Sequence, residues 1–220
     1  MRLQSAIFDM DGTLLDSMPM WHSIGDNFIR RFGHEPRENL WDDIKPLSVA
    51  QTMVYYRENY GLEQPVEELS VLFNDMVRDF YTYDVKCKPG VEKFLSLMKM
   101  EGVWMYVATA TDRDLVELAL KCAGIDGYFW GIATCGEAGS DKVHSAAVFE
   151  RALTRLQSNK KDTVIFEDSL PAVKTAKAAG FRCAGVYDSE WEADQAELKA
   201  VSDYYIRSFE EMFDSRSFLD

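Results

Sequence analysis

The stretch Ala6-Ile7-Phe8-Asp9-Met10-Asp11-Gly12-Thr13 places two aspartates directly after a short apolar run. The apolar residues predict a buried β-strand, and Gly12 permits the tight turn that follows it. Open parallel sheets hold their ligands at the carboxyl ends of their strands, which is where this strand delivers Asp9 and Asp11. Residues two apart in a strand point to the same side, so we expect both carboxylates to face one pocket. Neighbouring carboxylates repel each other, and a bound divalent cation is the usual compensation.

The composition and charge of the chain limit its partners. The chain has 220 residues, with 47% hydrophobic and 28% charged residues, as is usual for a globular protein. Its formal net charge of −13 argues against binding to nucleic acids or to anionic membranes. The N-terminus has no signal-peptide pattern, because Asp9 and Asp11 interrupt the only early apolar run. We therefore expect a cytoplasmic protein without a nucleic-acid or membrane partner, and we expect it to be a monomer.

The spacing of apolar residues changes twice along the chain. Over residues 17–85 they recur at helical spacing, and no strand-like run occurs there. After Lys88-Pro89-Gly90, strand patterns alternate with helix patterns, which predicts a doubly wound parallel sheet. We expect an α/β fold whose Rossmann-like core is formed by residues 1–16 and 86–220, with an inserted α-helical bundle at 17–85. Beyond the first strand, the predicted strands lie at residues 103–109, 131–134, 163–166, 182–186 and 204–206.

Polar residues stand at the ends of several predicted strands or in the loops that follow them, and a parallel topology brings these positions to one edge of the sheet. Carboxylates suit a hard cation such as Mg²⁺, while a lysine, a hydroxyl and backbone N–H groups suit a phosphoryl group. One carboxylate can act as a nucleophile and another as a general acid and base, which favours phosphoryl transfer. Taken singly, each residue also fits a plainer role in a surface turn, a helix N-terminus or a solvated loop. The polar residues are Asp9, Asp11, Thr109, Thr111, Lys142, Glu167, Asp168 and Ser169, and the set also includes Ala110, which lies between the two threonines.

In this order, the motifs resemble those of the haloacid dehalogenase-like superfamily of Mg²⁺-dependent phosphotransferases. Asp9-Met10-Asp11-Gly12-Thr13 is similar to its first motif, and Phe166-Glu167-Asp168-Ser169 is similar to its fourth. Val107-Ala108-Thr109-Ala110 and Lys142 are similar to the second and third motifs, which are less specific. The resemblance covers essentially the whole chain. The helical insertion is similar to the α-helical cap of the subgroup that contains β-phosphoglucomutase and many small-metabolite phosphatases.

The resemblance implies a role for each of these residues. Asp9 would be the nucleophile that forms an aspartyl phosphate, and Asp11 would protonate the leaving oxygen and then activate water. Thr109, the backbone amide of Ala110 and Lys142 would bind the phosphoryl oxygens. The cap would close over the substrate and exclude bulk water. The implied ligands of Mg²⁺ are Asp9, the backbone carbonyl of Asp11, Asp168 and, as an assisting ligand, Glu167.

Departures from the family pattern narrow the expected activity. The family usually has a proline after the lysine of the third motif, whereas Lys142 is followed by Val143. β-Phosphoglucomutases carry a histidine and a phosphate-binding arginine in the cap, where this chain has Trp21 and Val49. A second phosphate site is therefore not expected, which favours a phosphatase acting on a small phosphorylated metabolite over a sugar phosphomutase. The remaining alternative, a non-catalytic phosphate-binding module, is disfavoured because such a module would not need both aspartates of the first motif.

Overall fold

The structure is a computed structural model that describes residues 3–45 and 47–213. The chain divides into two compact units. One unit is formed by Met1–Ser17 together with Val85–Asp220, and the other by Met18–Asp84. Each boundary lies one residue inside the helical segment expected from the sequence, so Ser17 and Val85 belong to the α/β unit.

The two chain connections between the units pair with each other, which accounts for these boundaries. The N–H of Asp16 donates to the carbonyl of Lys86 at 2.9 Å. Leu15 and Cys87 form an antiparallel bridge next to it. Both connections are therefore held as part of the α/β unit, and the helical unit begins and ends just beyond this pairing.

The α/β unit is built on one sheet of parallel strands. Within the described residues the strands are β1 (Ser5–Phe8), β2 (Trp104–Thr109), β3 (Ile132–Thr134), β4 (Thr163–Glu167), β5 (Arg182–Val186) and β6 (Tyr204–Ile206). Their order in the sheet is β3-β2-β1-β4-β5-β6. The predicted fold class is confirmed, and each strand begins and ends within one residue of its predicted bounds.

The central position of β1 explains its sequence. All four residues of this strand are buried. A parallel strand in the middle of a sheet is covered on both faces, so it needs a continuous run of mostly apolar residues rather than alternation. The N–H of Asp9 donates to the carbonyl of Phe166 at 2.9 Å, which extends the pairing of β1 with β4 by one step. The backbone of Asp9 is thereby fixed at the carboxyl edge of the sheet.

Helices connect the strands of the α/β unit. The helix Ala147–Leu156 is typical, because its buried residues Val148, Phe149, Ala152 and Leu153 form one stripe. The α-helices described in this unit are Val91–Met100, Arg113–Cys122, Cys135–Ala138, Ala147–Leu156, Leu170–Ala178 and Gln195–Val201. The 3-10 helices are Asp126–Tyr128, Lys160–Asp162, Ser189–Asp194 and Phe209–Phe213.

The sequence pattern predicts helices over residues 90–102, 112–124, 145–156 and 170–179, so two of the observed α-helices have no predicted counterpart. Cys135–Ala138 is a single turn, too short to show a periodic pattern. Gln195–Val201 buries only Gln195 and Leu198, so its sequence contains no apolar stripe. Neither helix is predicted, because a helix is recognised in a sequence by apolar residues that recur at helical spacing.

The helical unit contains the α-helices Met18–Arg31, Leu40–Ile44, Val49–Tyr60 and Val66–Tyr83. Aromatic side chains form its core: the ring of Phe28 lies 5.5 Å from the rings of both Tyr56 and Phe73, measured between centroids. Apolar residues recur at helical spacing over residues 20–32, 53–60 and 66–80, which predicts three of these helices. Leu40–Ile44 is not predicted, because its five residues are too few to show a periodic pattern.

Within the residues that the structure describes, no helix combines the length and apolarity needed to span a lipid bilayer.

Candidate active site

Three carboxylates meet at the carboxyl edge of β1 and β4. Asp9 follows β1 directly, Glu167 ends β4, and Asp168 is the next residue. Asp9 and Asp168 are 2% exposed, and Glu167 is fully buried. One oxygen from each of the three carboxylates lies within 4.8 Å of the others. Buried carboxylates at this separation repel strongly and need compensating positive charge.

Lys142 supplies part of that charge. Its Nζ lies 2.7 Å from Oδ1 of Asp9, and it donates to the two carboxylate oxygens of Glu167 at 3.0 and 3.1 Å. The structure therefore brings Lys142 from its loop to the end of β1, which is the position expected for the lysine of the third motif.

The loop that carries Lys142 is held without the proline usual in the family. Oδ1 of Asp141 accepts the backbone N–H groups of Val143 and His144 at 2.9 and 2.8 Å. The hydroxyl of Thr175 donates to the carbonyl of Val143. These hydrogen bonds fix the backbone on the carboxyl side of Lys142, where the proline would otherwise restrict it.

The pKa values of the cluster reflect an excess of buried negative charge over the single positive charge of Lys142. Burial raises the pKa of Asp9 to about 7; Lys142 opposes this shift, and the charge of Asp168 adds to it. Burial and the neighbouring Asp9 raise the pKa of Glu167 well above its usual range. Burial also raises the pKa of Asp168. Burial alone would lower the pKa of Lys142, but the surrounding carboxylates raise it, so this side chain stays an ammonium.

The donor set fits a divalent cation. One ammonium balances only one of three carboxylates, and all three offer the hard oxygen atoms that Mg²⁺ prefers. Oδ1 of Asp9 is buried and, within the described part of the chain, receives no well-aligned hydrogen bond, although Lys142 lies beside it. An oxygen of this kind is a suitable metal ligand. Asp9, Glu167 and Asp168 could therefore hold a metal ion.

Asp11 has a different environment from this acidic cluster. Its carboxylate accepts hydrogen bonds from the hydroxyls of Ser17 at 2.7 Å and Thr111 at 2.8 Å. Gly12 follows with a φ of +77°, the left-handed conformation that the predicted turn requires. The first motif thus directs Asp9 to the buried carboxylates and Asp11 to two hydroxyl groups, rather than presenting two equivalent acids.

Two of the three residues expected to bind phosphoryl oxygens, Thr109 and Ala110, stand at the end of β2. Thr109 is 1% exposed, and its hydroxyl accepts the backbone N–H of Thr111 at 3.3 Å. Ala110 follows it and is exposed. Because β2 lies next to β1 in the sheet, this turn is placed at the same edge as Asp9.

Two residues contact the acidic cluster without having been assigned a role from the sequence. The hydroxyl of Thr13 donates to Oδ1 of Asp168 at 2.8 Å, and the indole Nε1 of Trp191 donates to Oδ2 at 2.8 Å. Thr13 belongs to the first motif, so its place in that motif could have indicated a role. Trp191 lies in a polar segment with no recognisable pattern, and no sequence signal marks it.

A family model described as haloacid dehalogenase-like hydrolase matches residues 6–186. The chain belongs to the haloacid dehalogenase-like hydrolases. This hydrolase is 24% identical to the phosphorylated carbohydrates phosphatase of Thermotoga maritima over 188 residues, which cover 85% of this chain and 87% of that protein. It is 26% identical to the phosphoglycolate phosphatase of Neisseria meningitidis over 190 residues, which cover 84% of this chain and 80% of that protein.

A solved structure shows the same fold. The hydrolase matches the crystal structure of CbbY from Rhodobacter sphaeroides in complex with phosphate, with a TM-score of 0.82. The match covers 96% of both chains at 19% identity. The resemblance drawn from the sequence motifs is therefore confirmed. The family and its phosphatase relatives identify the chain as a phosphoric monoester hydrolase.

Proposed function

We propose that this hydrolase is a Mg²⁺-dependent phosphatase that acts on a small phosphorylated metabolite through an aspartyl phosphate on Asp9. The observation that carries the proposal is the buried cluster in which Asp9 lies beside two further carboxylates and 2.7 Å from the ammonium of Lys142. Such a cluster provides a nucleophile, ligands for a hard cation and a fixed positive charge at one place. Phosphoryl transfer depends mainly on positioning and on charge neutralisation, which these groups supply.

The proposed reaction has two displacements at phosphorus. In the first, an oxygen of Asp9 attacks phosphorus, the bond to the leaving oxygen breaks, and Asp11 gives that oxygen a proton. In the second, water attacks the same phosphorus, Asp11 takes a proton from it, and the bond to Asp9 breaks. The products are an alcohol and inorganic phosphate, and both aspartates return to their starting protonation states.

The separate environments of the two aspartates suit these roles. The hydroxyls of Ser17 and Thr111 orient the Asp11 carboxylate, and each carboxylate oxygen can accept more than one hydrogen bond. Thr109, the backbone N–H of Ala110 and Lys142 are proposed to bind the phosphoryl oxygens. When bound, Mg²⁺ would offset the negative charge of the phosphoryl group. Its proposed ligands are Asp9, the backbone carbonyl of Asp11, Glu167 and Asp168.

We also propose that the helical unit, Met18–Asp84, is the cap that selects the substrate. Its insertion directly after the first motif supports this assignment. The positions at which β-phosphoglucomutases carry a histidine and an arginine are Trp21 and Val49 here. Val49 in place of the phosphate-binding arginine supports a substrate with a single phosphate group. Trp21 in place of the histidine supports a phosphatase rather than a phosphomutase.

A turnover screen tests the proposed function. The full chain is incubated with sugar phosphates, phosphoglycolate and nucleoside monophosphates, and released phosphate is measured with Mg²⁺ and with EDTA. We expect phosphate release from at least one compound, its loss in EDTA, and its return when Mg²⁺ is added in excess. Conversion of one sugar phosphate isomer into another without free phosphate would instead support a phosphomutase. No turnover of any compound would support a phosphate-binding module.

Removing the ammonium of Lys142 should slow phosphate release strongly. We expect Lys142→Met to lower kcat/KM by about 100-fold or more, because a buried charge that stabilises the transferring phosphoryl group is lost. Initial rates with the best substrate of the screen measure the effect. Lys161→Met is the matched control, because Lys161 is an exposed lysine of the same unit. A Lys142→Met enzyme as active as that control would contradict the assigned role.

A further inference from the structure

The segment after β5 reaches the acidic cluster through one side chain that the proposed reaction does not use. The 3-10 helix Ser189–Asp194 begins just beyond β5, at the same edge of the sheet as Asp9. Within it, the half-buried Trp191 donates its indole N–H to Oδ2 of Asp168 at 2.8 Å. The indole N–H can only donate, so this bond directs a donor at one oxygen of a proposed metal ligand.

The two oxygens of Asp168 accept hydrogen bonds from residues that are far apart in the sequence. Thr13, from the first motif, donates to Oδ1, and Trp191 donates to Oδ2, each at 2.8 Å. A carboxylate oxygen can accept more than one contact, so both oxygens keep acceptor positions for a cation. With one donor on each oxygen, rotation of the carboxylate would break a hydrogen bond in a buried site. The orientation of Asp168 is therefore fixed before a metal binds.

The segment carrying Trp191 is itself anchored by buried polar groups. Lys88 Nζ lies 2.6 Å from Oδ2 of Asp188 and donates to the carbonyl of Tyr187 at 2.7 Å. The side chains of Lys88 and Asp188 are 11% and 4% exposed. A buried ion pair adds little net stability compared with apolar residues, so its value here lies in the geometry that it imposes on the start of the segment.

A second anchor lies at the far end of the same segment. The amide of Gln195 donates to the carbonyls of Asp188 and Trp191, both at 3.2 Å. The hydroxyl of Tyr205 donates to Oε1 of Gln195 at 2.8 Å, which fixes the orientation of that amide. Trp191 has non-helical torsion angles, φ −108° and ψ 28°, within this run, and its carbonyl is held directly. The buried contacts thus restrain the residue at its backbone as well as at its indole.

We propose that Trp191 is a positioning residue that fixes the carboxylate of Asp168 for Mg²⁺ and makes the site discriminate against Ca²⁺. Mg²⁺ requires nearly ideal octahedral geometry with short bonds, whereas Ca²⁺ accepts irregular geometry and variable coordination numbers. A carboxylate held in one orientation therefore favours Mg²⁺ more than Ca²⁺. The inference rests on one part of the proposed function, namely that the cluster of Asp9, Glu167 and Asp168 binds a divalent cation.

Metal titrations of Trp191→Phe test this inference. The variant keeps an aromatic ring and loses the N–H. The dissociation constants of Mg²⁺ and Ca²⁺ are measured by calorimetry on the full chain, without substrate. Removing a hydrogen-bond partner of a metal ligand commonly weakens metal binding by about 10- to 100-fold. We expect a loss of about 10-fold for Mg²⁺ and a clearly smaller loss for Ca²⁺, so that the ratio of the two constants changes.

Trp130→Phe is the matched control, because Trp130 is 68% exposed and belongs to the same unit. Its metal constants should equal those of the wild type. The inference would be overturned if Trp191→Phe bound Mg²⁺ as tightly as the wild type, or if its affinities for Mg²⁺ and Ca²⁺ fell by the same factor. If Trp191→Phe does not fold, Gln195→Met is used instead, since it removes the hydrogen bond to the Trp191 carbonyl. It should change the Mg²⁺ to Ca²⁺ ratio in the same direction, and an unchanged ratio would overturn the inference.

The failure of this inference can be told apart from failure of the proposed function. Suppose that the wild type releases phosphate and binds Mg²⁺, and that Trp191→Phe binds both metals as tightly as the wild type. This result would overturn only the role of Trp191. A wild-type chain that neither binds Mg²⁺ nor releases phosphate overturns both.

Discussion

Asp9→Asn should reduce phosphate release by about 1,000-fold or more, because an amide cannot form the acyl phosphate on which both displacements depend. The substitution keeps the shape of the side chain and removes one charge from a crowded site. It is measured as phosphate release at saturating Mg²⁺ with the best substrate of the screen. Residual activity above a tenth of the wild-type rate would contradict the assignment of Asp9 as the nucleophile.

The thermal stability of Asp9→Asn separates loss of chemistry from loss of fold. Burial and the neighbouring Asp168 raise the pKa of Asp9 to about 7, so its charged form is costly in the metal-free protein. Replacing this carboxylate by a neutral amide relieves repulsion with Glu167 and Asp168, while Lys142 keeps its hydrogen bonds to Glu167. We therefore expect a melting temperature, measured in EDTA, that is at least as high as that of the wild type.

An exposed aspartate provides the matched control. Asp126 lies in the α/β unit and on its surface, so Asp126→Asn makes the same chemical change away from the cluster. Its phosphate release should match that of the wild type. A comparable loss of activity in both variants would point to a general effect of charge rather than to nucleophilic chemistry at Asp9.

Local patterns explain why much of the fold could be predicted. The apolar run before Asp9 predicts a buried central strand, and the alternation after residue 90 predicts a parallel sheet around it. Both patterns arise from burial of consecutive residues, which a sequence displays directly. Elements that bury few residues, such as Gln195–Val201, leave no comparable pattern and were missed.

The candidate site is harder to predict from the sequence than the fold, because its contacts join distant parts of the chain. Asp9 follows β1, and Glu167 and Asp168 stand at the end of β4, so the topology alone places these acids at one edge of the sheet. The contact of Thr111 with Asp11 spans 100 residues, and that of Trp191 with Asp168 depends on an irregular segment. Such contacts depend on the path of a loop and on side-chain rotamers, for which no periodic pattern exists. The roles of the site residues, the monomeric state and the cytoplasmic location stay predictions.

Asp11→Asn should slow turnover of an alkyl phosphate by about 100- to 10,000-fold, the usual range for loss of a general acid and base. Asp11 is outside the buried acidic cluster, and the hydroxyls of Ser17 and Thr111 can hydrogen-bond an amide as well as a carboxylate. The fold and the affinity for Mg²⁺ should therefore change little. Phosphate release, the melting temperature and metal titration together measure these effects.

A comparison of substrates with different leaving groups shows whether Asp11 acts as an acid and base or has only a structural role. An aryl phosphate such as p-nitrophenyl phosphate has a leaving group that departs without a proton, so attack by Asp9 should still proceed in Asp11→Asn. Hydrolysis of the aspartyl phosphate still needs a base, so this second step becomes slow. We expect a burst of p-nitrophenol approaching one equivalent per enzyme, followed by a slow steady rate, whereas Asp126→Asn should show wild-type kinetics. A uniform loss for aryl and alkyl phosphates without a burst would contradict the two roles proposed for Asp11, because it would mean that the first displacement had failed as well.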